Sequence, residues 1–368
     1  MDKILNTKYT KMHKEKNFAP FAHSRNSRFI FLLLLLLLAA CQSAPLPTST
    51  PTETATPSVT ATATITPTST VLPTFTPEPN WYQPLDSSYQ SLKYKYGQVN
   101  NPQAKVYVSL QDAVASTGNS GPLRSYPAYV AYTTTEVRDG HTFYFVPVNY
   151  GWMDGAYLQL LTPSTFSGLR LTREVSFRFG WVLAETQSVN TVGMTVQTYH
   201  RYQVIHEVPA ASQMPGFVSI GADEWLPDES VALVSFQVPA DAGANTCRFI
   251  YVNLAEQTLA VFDQCKLVFA TLVSSGQQSW TFEGRFAILY KVEYSSITPP
   301  PTSTSEYYIE GVPYFMTYSG NFGFHAAYWH DAFGIPASHG CINLSPADGK
   351  WLYQWAGMGE RVIISAGN

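Results

Sequence analysis

The pattern of apolar and polar positions changes character twice along this chain. Residues 29–40 are an unbroken apolar run containing seven consecutive Leu. From 43 to 80 apolar positions thin out, and Thr, Pro and Ser fill 25 of 38 places. From Trp81 onward short apolar runs alternate with polar residues and end at turn signals. Runs at 106–108, 128–132, 143–148 and 157–161 predict strands, and Arg138-Asp139-Gly140 predicts a hairpin turn. Residues 248–254 and 258–262 alternate on either side of a short connection, which predicts a hairpin followed by a third strand at 267–273. Helical spacing arises only near the C-terminus, where Ala347, Trp351, Leu352 and Trp355 share one face. Ser345 is the expected N-cap, Pro346 the first helical residue, Asp348 the N3 acid and Gly357 the stop. The fold expected is mainly β with a short C-terminal helix.

Length and composition add organisation. The 368 residues suggest about two domains. Charged residues are few and Tyr and Phe many, which suits strands. Seven of the 22 Lys and Arg lie in residues 1–28, beside only two of the 26 acids. The remainder is acidic and has no basic cluster, which argues against nucleic acid as a partner.

The basic start and the twelve apolar residues 29–40 read as a signal peptide, since a spanning helix needs about twenty. The run ends Leu38-Ala39-Ala40-Cys41, which resembles the lipobox of bacterial lipoproteins. That resemblance implies lipid on Cys41 and a location outside the cytoplasm, anchored to the cell membrane and facing the wall. Residues 41–80 then form a linker, because Thr, Pro and Ser bury too little apolar area to offset the entropy of ordering. The expected organisation is a signal peptide at 1–40, the linker at 41–80, a β-rich region at 81–240, and a C-terminal domain at 245–368, with a boundary near 239–244.

Four cysteines in an exported chain need four explanations. Lipid takes Cys41. Cys247 and Cys265 lie nine positions either side of Glu256, in the middle of the predicted hairpin, so a disulfide is favoured over two unpaired thiols. Cys341 is left over, and a leftover thiol is either an intermolecular bridge or a reactive group. It stands in Ser338-His339-Gly340-Cys341-Ile342-Asn343, with His325 sixteen residues before it. A thiol of ordinary pKa needs a neighbouring base to act at neutral pH, and His is the natural one. Gly340 allows a tight turn in which its N–H and that of Cys341 can face a developing oxyanion. The spacing matches no C-x-x-C or H-E-x-x-H metal pattern, so no metal and no cofactor are expected.

The stretch from His325 through Asn343 resembles the catalytic signature of the L,D-transpeptidases, the YkuD family. Glu256-Gln257-Thr258-Leu259, Ser274-Ser275-Gly276 and Phe282-Glu283-Gly284-Arg285-Phe286 resemble its flanking segments, and the likeness spans about 247–366. It implies a β-sandwich-like catalytic domain in which Cys341 attacks a peptidoglycan stem peptide, with His325 as base, oriented by a backbone carbonyl. A thioester acyl-enzyme would pass to an amine and form a 3→3 cross-link. Water as acceptor would make the protein an L,D-carboxypeptidase or another cysteine peptidase, and a non-catalytic wall-binding lipoprotein is the reading from a different class. His339 and Gly340 are expected to shape the catalytic turn. Tyr314, Trp329, Ser338 and Asn343 are expected along the substrate groove, with the core as the alternative for Tyr314, Tyr318 and Trp329. Asn343 stands where many members carry Arg. His330 is expected to be a surface or supporting residue and Asp331 to have a loop role. Tyr150-Gly151-Trp152-Met153-Asp154-Gly155-Ala156-Tyr157-Leu158 resembles the closing strand of bacterial SH3-like domains, implying an SH3-like barrel in the N-terminal region. The Pro-rich residues 296–305 read either as part of a lid or as an exposed loop.

Overall fold

Alternation in 249–272 builds a three-stranded meander. Phe249–Asn253 pairs antiparallel with Thr258–Asp263, and that strand with Lys266–Leu272. The computed structural model describes residues 81–367 apart from 119, 123–125, 211, 235, 237–246 and 300–305. All of these lie in one unit, Pro73–Asn368. Cys41, the predicted signal peptide and linker, the 239–244 boundary and most of the 296–305 stretch lie outside the described residues.

Two seven-stranded sheets dominate. The first adds Arg361–Ser365 and Gly284–Ala287 on one side of the meander, and Leu169–Leu171 and Tyr82–Pro84 on the other. The second contains Ile342–Leu344, Phe322–Ala326 and Tyr308–Ser319, then Ala128–Tyr132, Lys95–Val99 and Leu158–Leu161. Tyr290–Ile297 pairs with Tyr308–Ser319 as well. Ile250, Val252, Leu259, Val261 and Phe269 from one sheet meet Met316, Phe324, Ile342 and Leu344 from the other, with Trp351 and Leu352 of the helix. The opposite face of the first sheet carries Phe249, Phe262, Ala270 and Leu272, packed against Trp81, Phe166, Phe179 and Trp181. A sheet covered on both faces needs apolar residues at consecutive positions, and Thr258–Asp263 is buried at every residue but its last.

The two-residue turn at Asp139-Gly140 has positive φ at both residues and joins Thr134–Arg138 to His141–Val146, as the sequence predicts. These two strands belong to a five-stranded sheet. Residues 179–233 form two smaller sheets of three and four strands. A six-residue helix, Leu110–Ala115, was not foreseen. Cys247 and Cys265 are bonded, with Cα atoms 4.9 Å apart, and the Cys265 N–H donates to the Cys247 carbonyl.

The C-terminal helix runs Pro346–Trp355 from the Ser345 cap. That cap contributes about 1 kcal/mol. Burying Trp351 and Leu352 contributes roughly 1.5–3 kcal/mol each, so docking rather than capping places the helix. Its end differs from expectation. Ala356, in an extended conformation, closes the helix, and Gly357 does not take up a left-handed conformation. Lys291 Nζ instead donates to the carbonyls of Tyr353 and Ala356. A cation on the last carbonyls replaces the glycine cap.

Candidate active site

Cys341 immediately precedes the Ile342–Leu344 strand. That strand runs parallel to Phe322–Ala326, with Phe324 opposite Ile342 and His325 opposite Asn343. Side chains alternate between faces along a strand. Ile342 and Leu344 therefore enter the core, while Cys341, Asn343 and His325 share the other face. The register sets His325 one diagonal step from Cys341 on that face.

The turn before Cys341 is held from both sides. Ser338 Oγ donates to the Cys341 carbonyl and accepts from the Gly340 N–H at 3.0 Å. The Ser275 carbonyl accepts from the N–H groups of Ala337 and Ser338, and the Gln277 N–H donates to the Ser338 carbonyl. Thr281 Oγ1 accepts from the Gly276 N–H at 2.7 Å and donates to the Gly340 carbonyl at 2.8 Å. The buried Gln257 amide in the first hairpin locks Ser275, accepting from its N–H and donating to its Oγ, both at 2.8 Å. Gly340 has φ +124°, and a Cβ there would sit 2.2 Å from Phe322. Only glycine fits this position.

Burial keeps the Cys341 thiol and the His325 imidazole neutral at neutral pH. His325 is 2% exposed, and burial pulls its pKa down to about 4. Its Nδ1 lies 3.4 Å from the Ala326 carbonyl, which favours the tautomer with Nε2 free to accept a proton. Phe315 stacks on the ring at 5.4 Å, and Trp329 lies 5.6 Å from it. Cys341 is half-buried and is the free cysteine among the described residues. Desolvation pushes its thiol up to about 11, against an opposing hydrogen bond from the Gly323 backbone, and Sγ donates to the Asn321 carbonyl at 3.7 Å.

Several expected residues fall elsewhere. Tyr314 is buried on the helix side, its ring near Tyr294 and Tyr353, so the core alternative holds for it. Phe315, the next residue, is the one that reaches His325. Ser338 is buried and spends its hydroxyl inside the turn. The Gly340 N–H goes to Ser338, so it is not open to an oxyanion as anticipated. His339 is exposed and stacked between Trp280 at 5.4 Å and Tyr307 at 4.9 Å. Asp331 has its loop role: it pairs with Arg201 at 3.0 Å and accepts from the Tyr202 and Ser164 hydroxyls. Sequence reasoning missed Tyr307 and Phe315. Tyr307 lies within electrostatic reach of Cys341. Neither carries a motif; strand pairing brings Phe315 to His325, and Tyr307 lies just before the same strand. Among the described residues no cluster of three or more His, Cys, Asp or Glu could hold a metal.

With this geometry in place, residues 248–364 match the family model described as the YkuD L,D-transpeptidase catalytic domain. This segment, 117 of the 368 residues, is thus an L,D-transpeptidase-type domain of mainly β fold. The chain is similar to a cysteine-to-serine mutant of the L,D-transpeptidase from Enterococcus faecium, at 26% identity over 32% of this chain and 49% of that one, with TM-score 0.30. It is similar to an L,D-transpeptidase from Stackebrandtia nassauensis at 27% identity over 33% and 56%, with TM-score 0.27. An L,D-transpeptidase from Mycobacterium smegmatis matches at 20% identity over 56% and 92%, with TM-score 0.31. The chain spans about half the length of the first two, 49% and 56%. No curated protein matches.

Proposed function

We propose that this protein is a peptidoglycan L,D-transpeptidase that forms 3→3 cross-links through a thioester on Cys341. The observation that carries the reading is the register: the parallel pairing of Ile342–Leu344 with Phe322–Ala326 puts a free thiol and a buried imidazole on one face of a ladder. A thiol near 11 beside an imidazole near 4 stays a neutral pair at pH 7. The proton therefore leaves Sγ as the sulfur adds to the carbonyl, rather than before. It moves to His325 Nε2, while Nδ1–H stays on the Ala326 carbonyl. His325 then gives that proton to the leaving amine as the tetrahedral adduct collapses to the thioester. An incoming stem amine reverses the steps and closes the cross-link.

Mass spectrometry of the intact protein with a disaccharide-tetrapeptide tests this. The expected result is an acyl adduct on Cys341, then a cross-linked dimer. A tripeptide without dimer would show that water is the acceptor. Turnover by Cys341→Ala at the original rate would sink the mechanism.

We also propose that Cys41 carries lipid, anchoring the protein outside the cytoplasm, and that residues 81–240 include an SH3-like region. The lipobox-like Leu38-Ala39-Ala40-Cys41 supports the anchor. Among the described residues no helix is long and apolar enough to cross a membrane. Cys41→Ala should lose incorporation of a labelled fatty acid, and retained label would exclude the anchor.

A further inference from the structure

His330 is half-buried and packed against Asn343, two residues beyond the nucleophile. Asn343 is 2% exposed, and its Oδ1 position has no hydrogen-bond partner. The other end of its amide lies 2.9 Å from His330 Nε2. The Ala332 N–H donates to His330 Nδ1 at 3.1 Å, so Nδ1 presents its lone pair. Burial keeps the ring neutral, pulling its pKa to about 4. The one ring proton is therefore on Nε2. Two donors do not face each other at 2.9 Å, so the amide end toward His330 is the carbonyl oxygen, and hydrogen bonding is what decides amide orientation. The NH2 group then occupies the buried position with no partner, an arrangement that is costly unless something accepts from it. Asn343 stands opposite His325, on the face that carries Cys341. The turn also has a donor to replace, because Ser338 takes the Gly340 N–H.

We infer that His330 is a positioning residue that turns the Asn343 amide so that its NH2 donates to a main-chain carbonyl oxygen of the acyl-donor peptide beside Cys341. The inference rests on the transpeptidase reading above. The ligand is a peptide carbonyl, neutral at first and gaining negative charge as sulfur adds. Asn343 forms and breaks no covalent bond and keeps both protons. Its hydrogen bond strengthens as charge develops, which places its effect in the rate of acylation.

The test compares full-length variants by intact-mass kinetics with a tetrapeptide stem, and separately by alkylation with iodoacetamide, which develops no oxyanion. Asn343→Asp keeps an oxygen for His330 but loses the NH2. Its acylation rate should fall about 100-fold, the scale of losing one oxyanion donor, while alkylation stays within about twofold. His330→Ala should fall in the same direction, and His330→Gln, which keeps a donor at the far end of the side chain, should recover most of the rate. Long-range proton–nitrogen NMR of the unaltered protein should show His330 protonated at Nε2 and bare at Nδ1. Unaltered acylation by Asn343→Asp, or a proton on Nδ1, would overturn the inference and leave the transpeptidase reading standing. An unaltered protein that is alkylated but never acylated would overturn both.

Discussion

Cys341 and His325 carry unequal burdens. Burial raises the thiol and lowers the imidazole, so neither is charged at neutral pH. His325 must be unprotonated to accept the thiol proton, and its folded pKa near 4 keeps it so throughout the neutral range. Acylation of Cys341 should therefore be flat from about pH 5.5 to 8 and fall only as pH drops through about 4. A pre-steady-state pH profile checks this, and an acid limb centred near the ordinary histidine pKa of about 6.5 would show that burial does not set the base. The motif was legible in the residue string because Ser338-His339-Gly340-Cys341 is local. The roles of Phe315, Tyr307 and His330 were not, because each reaches the site through strand pairing or loop packing.

At the scale of elements, the C-terminal helix and the strands behind it turn on Asp348. Its carboxyl is fully buried, accepting from the Gly168 N–H at 2.7 Å and from Thr271 Oγ1 at 2.5 Å. Desolvation raises its pKa from 3.8 to about 7 despite those bonds. The folded state thus holds this proton more tightly than the unfolded chain. Its contribution to stability is full below about pH 4 and is lost as pH rises through about 7. His325 and His330 act in the opposite sense. Their folded pKa values are depressed, so their contribution is present above about 6.5 and is lost as pH falls toward 4. Asp348→Asn should remove the first effect and leave the second. Thermal midpoints at pH 5 and pH 7 should then rise with pH more steeply in the variant than in the unaltered protein; equal slopes would show that Asp348 titrates normally. The sequence places Asp348 at N3 of a helix, but its partners lie 77 and 180 residues away.

For the molecule as a whole, the N-terminal strands are built into the same two sheets as the 248–364 segment. Ala128–Tyr132 pairs in parallel with Tyr308–Ser319, and Leu169–Leu171 extends the first sheet at Lys266–Leu272. Trp81, Phe166, Phe179 and Trp181 cover that sheet's outer face. Removing residues 81–246 would expose an apolar face and leave two strand edges unpaired. A 247–368 fragment should unfold at lower urea concentration than the full chain and associate at micromolar concentration. Chemical denaturation and gel filtration measure both, and a monomeric fragment of equal stability would show that the covering is dispensable.

Local patterning by itself determined the mainly β class, the Asp139-Gly140 hairpin, the meander around Cys247 and Cys265, and the helix start at Ser345. Each depends on periodicity, turn chemistry or a motif within a few residues, which a chain displays directly. Tertiary structure alone decided that Tyr314 is core while Phe315 meets His325, that Lys291 rather than Gly357 finishes the helix, and that His330 grips Asn343. Those outcomes depend on register and on which distant groups share a dry interior. Register is set by the packing of both sheets at once, and a shift of one residue would reverse every one of them.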